Sequence, residues 1–133
     1  MEVYKSKYWS IYYDEVHKML NPDWDEKSSE LTDLLYKQEM EQYTQIVEKY
    51  RPGKALINCM KMFYVIPIDV QEWTNKNLFP RILAAGVNKV AIILPADIIT
   101  QLSLEQVMEE SMGVKFTTKY FSDSQIAKDW LIS

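Results

Sequence analysis

At 133 residues, 47% hydrophobic and 26% charged, the chain has the length and balance of one globular domain and is too short for two. Three glycines and five prolines leave little room for linkers, and 15 Lys and Arg against 19 Asp and Glu (net −4) provide no basic stripe for nucleic acid. Cys59 is the only cysteine, which excludes a disulfide framework and a cysteine zinc site.

Tyr8 to Tyr13 is rich in aromatics, and Asp14-Glu15 separates it from Val16 to Leu20. The pattern predicts two short strands in a hairpin, the second ended by Asn21-Pro22. Tyr8, Trp9, Tyr12 and Tyr13 cannot all face one core, and alternation sends some outward, as in a homodimer contact. Asp23, Asp25 and Glu26 read as a solvated loop. Tyr36, Met40, Tyr43, Val47 and Tyr50 then share one helical face, with Lys37, Glu41, Gln45 and Glu48 opposite. Thr32 is the expected N-cap, Leu31 and Tyr36 have staple spacing, and Pro52-Gly53 stops the helix.

Ala55 to Met60 follows as a mostly apolar strand, and a second helix is expected from Asp69, with Ile68 and Trp73 at staple spacing. Pro80 predicts a kink or break near residues 76 to 80, and Gly86 closes the element. Val90 to Leu94 has the continuous aliphatic run of a strand buried on both faces and ends at Pro95. Ser103 with Gln106 predicts a third capped helix stopped at Gly113. Phe116 to Phe121 alternates as a strand, and Ser122 with Gln125 opens a last helix burying Ile126, Ala127, Trp130 and Leu131. The order β-β-α-β-α-β-α-β-α implies an α/β fold with a mixed, mostly parallel sheet of four to five strands and flanking helices.

Met1 to Ser10 is polar, without the apolar core of a signal peptide, and Val90 to Leu94 is too short to span a bilayer. No stable membrane insertion is expected, and a cytoplasmic location is the default.

Four strings carry a family resemblance: Gln71-Glu-Trp-Thr-Asn-Lys-Asn-Leu-Phe-Pro80, Ala84-Ala-Gly-Val-Asn-Lys-Val-Ala91, Gln101-Leu-Ser-Leu-Glu-Gln-Val-Met-Glu-Glu110 and Tyr120-Phe-Ser-Asp-Ser-Gln-Ile-Ala-Lys-Asp-Trp-Leu131. With them the chain resembles bacterial proteins of the SpoIIAA-like group of the STAS superfamily (sulfate transporters and anti-sigma factor antagonists), also described as STAS/SEC14-like. The resemblance covers essentially the whole chain, most clearly its second half. It implies a mixed sheet of four or five strands with helices alongside, and action through surfaces and pockets. The superfamily's phosphoswitch places a Ser or Thr at a helix start, where backbone donors hold the phosphate. The corresponding connection, Lys61 to Asp69, contains neither residue; Asp69 stands at the expected helix start, where an N-cap is the simpler account.

Candidate chemistry is sparse. Cys59 and His17 are the only nucleophile-base pair on offer, and a thiol inside an apolar strand is usually inert. Asp23-Trp24-Asp25-Glu26 lacks calcium-loop spacing, no phosphate-loop string is present, and Glu105, Glu109 and Glu110 read as solvated charge. No metal, cofactor or enzymatic activity is expected. Asn58, interrupting an apolar strand, is either tied to a neighbouring loop or a polar anchor under a pocket. Met60-Lys-Met-Phe-Tyr-Val-Ile-Pro67 is apolar where the chain should leave the sheet. Such a segment plugs the core or lines a pocket or interface, with Met62, Phe63, Tyr64 and Trp73 as walls. A noncatalytic binding module for a protein partner or small apolar ligand follows, with carriage of a lipid or similar molecule as the alternative.

Overall fold

The computed structural model describes residues 1–109 and 116–133, so Glu110 and the expected helix stop at Gly113 lie outside the described residues. The described chain forms a six-stranded sheet in the order β1-β2-β3-β4-β5-β6. Its strands are β1 (Glu2–Lys5), β2 (Trp9–Asp14), β3 (Met19–Trp24), β4 (Lys54–Asn58), β5 (Lys89–Ile93) and β6 (Thr117–Phe121). The first three pair antiparallel, and β3 to β6 pair parallel. The helices are α1 (Asp33–Tyr50), α2 (Ile68–Asn77), α3 (Phe79–Ala84), α4 (Ile98–Glu109) and α5 (Ser124–Ile132).

The mixed α/β architecture matches the expectation, but the sheet has six strands rather than four or five. The polar start of the chain conceals β1, which needs only two half-buried residues, Val3 and Tyr4, to pack on the core. The second hairpin strand also lies later than expected. Asp14 Oδ1 accepts from His17 N at 3.1 Å and Lys18 takes a φ of 54°, so residues 15–18 make the turn. Asn21-Pro22 consequently sits inside β3 instead of ending it, and Asp23 belongs to that strand rather than to a solvated loop. Pro22 is tolerated because the ladder to β4 is registered at Met19, Leu20 and Asp23 and passes over residues 21 and 22.

α1 forms as its periodicity dictates: Thr32 Oγ1 accepts from Leu35 N at 3.2 Å, and Tyr36, Tyr43 and Val47 are buried. Pro80 splits the next element into α2 and α3, and Gly86 closes it at a φ of 111° that favours glycine. Three caps differ from expectation. Asp69 is the second residue of α2, exposed and making no capping bond; Pro67 precedes the helix and Ile68 points outward, so the Ile68–Trp73 staple does not form. α4 starts five residues before Ser103, because Asp97 Oδ2 accepts from Thr100 N at 2.9 Å. α5 is capped by Asp123, not Ser122, which turns Ile126 to solvent while Ala127 and Leu131 stay buried.

The main core lies between one sheet face and α1 to α4 and is strongly aromatic. Trp9 and Trp24, paired across β2 and β3, stack at 4.0 Å, and Tyr36 extends the stack to Tyr64 at 4.7 Å. A smaller cluster on the other face packs Met19, Ala91 and Ile93 against Ala127 and Leu131 of α5. No described helix is long and apolar enough to cross a membrane.

Candidate functional site

After β4 the chain turns at Met60-Lys61, where Met62 N donates to Cys59 O at 3.0 Å, and then runs to Pro67 without regular structure before entering α2, its side chains alternating. Met62, Tyr64 and Ile66 are buried, whereas Met60, Phe63 and Val65 point to solvent. No described strand pairs with this segment, and side chains meet several of its backbone groups. The fully buried Ser28 hydroxyl accepts from Phe63 N at 2.9 Å and donates to Lys61 O at 3.1 Å. Ser103 Oγ, buried in α4, accepts from Ile66 N at 3.1 Å, and Gln71 Nε2 donates to Ile66 O at 2.9 Å. The Tyr64 hydroxyl donates to Asp33 Oδ1 at 2.6 Å, and burial together with this carboxylate pushes its pKa well up. The segment is both core plug and exposed surface, the two alternatives its composition left open.

Exposed apolar side chains also stand at the starts of α2 and α4. Phe63 is 44% exposed, Val65 43% and Ile68 67%, and at the start of α4 Ile98 is 63% exposed, Ile99 56% and Leu102 48%. The Ile66–Ser103 bond ties the segment to α4, so both sets lie at the carboxyl end of the parallel strands. Large apolar side chains concentrated in this way mark an interaction surface more often than a solvated one.

The expected site residues therefore separate. Phe63 lies on this surface, Met62 and Tyr64 anchor it from below, and Trp73 is half-buried with Lys37 Nζ 5.3 Å from its ring centroid. Asp69 is exposed in the first turn of α2. Asn58, the last residue of β4, is half-buried; its Oδ1 accepts from Met60 N at 3.0 Å, and its side chain lines a polar groove on the opposite face. The residues composition did not single out are Ile98, Ile99 and Leu102 of α4. The signal was present: Ser103, once an interior residue rather than a cap, turns these three outward together.

Met62 also borders a narrow apolar cavity of about 60 Å³ beneath the segment, with Trp9, Tyr36, Met40, Tyr43 and Cys59 in its wall. The Cys59 thiol is fully buried, and desolvation, followed by the nearby Asp23 charge, pushes it far above its ordinary value. His17 sits in the β2–β3 turn, where its Nδ1 meets Asp14 Oδ2 at 2.7 Å and its carbonyl accepts from Lys54 Nζ at the start of β4. Cys59 follows the other end of β4, roughly 16 Å away at ~3.3 Å per strand residue, so the two do not form a catalytic pair. Among the described residues no group of three or more His, Cys, Asp or Glu side chains could hold a metal ion. No family model, curated protein or solved structure matches the chain.

Proposed function

We propose that this protein is a noncatalytic binding or regulatory module, of the STAS-like kind its sequence resembles, which docks a protein partner on the apolar surface of Phe63, Val65, Ile68, Ile98, Ile99 and Leu102. The carrying observation is that Phe63 and Val65 are exposed on a segment whose backbone is tied down by buried Ser28, Ser103 and Gln71, while Ile68 of α2 and Ile98, Ile99 and Leu102 of α4, the helix that supplies Ser103, are exposed as well. A surface held in this way loses little conformational entropy when a partner covers it. Carriage of a small apolar ligand is less well supported. The cavity of about 60 Å³ under Met62 is less than half the ~150 Å³ of a dry cavity that admits benzene, so a lipid chain would have to force the aromatic core apart.

The test is site-specific photocrosslinking in the native host, with benzoylphenylalanine at position 63 or 99 and, as control, at position 16. Val16 is 86% exposed in the β2–β3 turn, away from the proposed surface. Positions 63 and 99 are expected to yield the same discrete product, absent from position 16 and lost in an Ile68→Ser/Leu102→Ser variant. A product that is this chain itself would make the partner a second copy. No product, or the same product from all three positions, would remove the docking surface.

A further inference from the structure

The sheet face opposite the aromatic core is only partly covered. α5 packs on β4, β5 and β6 and on Met19 of β3, and beside it Ser10, Tyr12, Asn21 and Asp23 of β2 and β3 remain at least partly exposed. Strand register brings polar side chains together there: Ser10 pairs with Asp23, Tyr12 with Asn21, and Asp23 with Asn58 across the parallel ladder. Along this line run two adjoining cavities of about 210 and 200 Å³, with Asp23 and Asn58 in the wall of both. Lys128 of α5 borders the first and Lys61, just after β4, borders the second.

The polar groups are unspent. Among the described residues the buried Asn21 Oδ1 accepts no hydrogen bond. Among the described residues neither the Asp23 carboxylate nor the Lys128 ammonium enters an ion pair. Asn58 commits its Oδ1 to Met60 N, which leaves its amide nitrogen to donate. The Asp23 side chain is exposed, and partial burial of its carboxyl raises its pKa, with Lys61 opposing and Asp25 reinforcing. Lys128 lies near enough to Asp14 to contribute, after His17, to holding that carboxyl low.

A buried acceptor beside a carboxylate calls for a group with several N–H donors, and an ammonium has three. Lys128, in the wall of the same cavity, calls for an anion. A volume of about 210 Å³ is below the ~300 Å³ of drug-sized pockets, which limits the occupant to a few heavy atoms. We propose that this groove binds a small zwitterion of amino-acid size, its ammonium held by Asp23 and Asn21 Oδ1 and its carboxylate by Lys128. The site is independent of the apolar docking surface, and either can fail without the other.

The experiment is an NMR titration of isotope-labelled protein with each common L-amino acid at up to about 10 mM, enough to reveal millimolar affinity. At least one amino acid is expected to shift the side-chain amide signals of Asn21 and Asn58. The matching acid without its amine, and the matching amine without its acid, should bind about tenfold more weakly, because each lacks one charge-assisted hydrogen-bonding group. Asp23→Asn and Lys128→Ala, both outside the two hydrophobic clusters, should weaken binding similarly while leaving the remaining spectrum folded. No shift with any amino acid, shifts that survive Asp23→Asn, or equal binding of the amine-free acid would overturn the proposal. The first of these outcomes would leave water as the partner of Asn21.

Discussion

The two faces of the sheet solve the problem of a half-covered surface in opposite ways. On one face α1 to α4 cover every strand of the antiparallel hairpin, and Trp9, Ile11, Tyr13, Leu20 and Trp24 are buried in a continuous core. On the other, α5 covers β4 to β6 and Met19 at the start of β3, and the same two strands present Ser10, Tyr12, Asn21 and Asp23 beside it. Because side chains alternate with a period of two, one pair of strands supplies both environments. The covered face carries stability, and the open face is free to carry recognition.

The largest test of this division compares neighbours on β2 and β3. Leu20→Ala, at a fully buried position, is expected to cost about 2–5 kcal/mol in urea unfolding. Tyr12→Ala on the open face should cost less than about 1 kcal/mol, since its side chain lies outside the core. Similar losses at both positions would mean that the open face also holds the fold together.

A middle-sized effect sits where the covered face meets its rim. Glu39 of α1 accepts from Trp9 Nε1 at 2.8 Å and from the Tyr4 hydroxyl at 3.1 Å, joining β1 and β2 to the helix. Glu39→Ala leaves the nearly buried indole N–H without a partner, at a cost of about 1–3 kcal/mol. Burial and, after it, Glu39 push the Tyr4 hydroxyl up to about 12. Spectroscopic titration of the variant should bring that value down part of the way, leaving the share due to burial. An unchanged titration would show that the bond does not form in solution.

The smallest expected effect separates two carboxylates of the open face by sign. His17 holds Asp14 below its ordinary value, so its contribution is present at neutral pH and is lost as pH falls through the lowered value. Asp23 is raised above 3.8, chiefly by burial, so its folded form keeps a proton longer than its unfolded form. Stability linked to Asp23 is greatest at low pH and declines as pH rises through the raised value. Asp23→Asn should therefore raise the melting temperature slightly at neutral pH, with the gain disappearing below about pH 4. A gain that persists in acid would assign the effect to something other than the Asp23 charge.

Much of the fold is legible locally. The face of α1, its Thr32 cap, the break at Pro80 and the aliphatic run of β5 each depend on residues within a few positions of one another. The caps at Asp97 and Asp123 are equally local, but capping boxes at Ser103 and Ser122 compete with them in the sequence, and only packing chooses between such rivals. At Asn21-Pro22 local chemistry and packing disagree. Treated as punctuation it ends a strand; placed beside β4 it lies in one, because the parallel ladder skips the missing N–H.

The amino-acid sequence alone determines the α/β class, the alternation of parallel strands with helices, and an apolar segment after β4 too hydrophobic for an ordinary loop. Tertiary structure decides the rest: that Ser28 and Ser103, far apart in the chain, tie that segment down, and that Asn21, Asp23, Asn58 and Lys128 share one groove. The physical reason is range. Periodicity and capping act over a few residues, whereas strand register and helix docking are settled by the packing of the whole core.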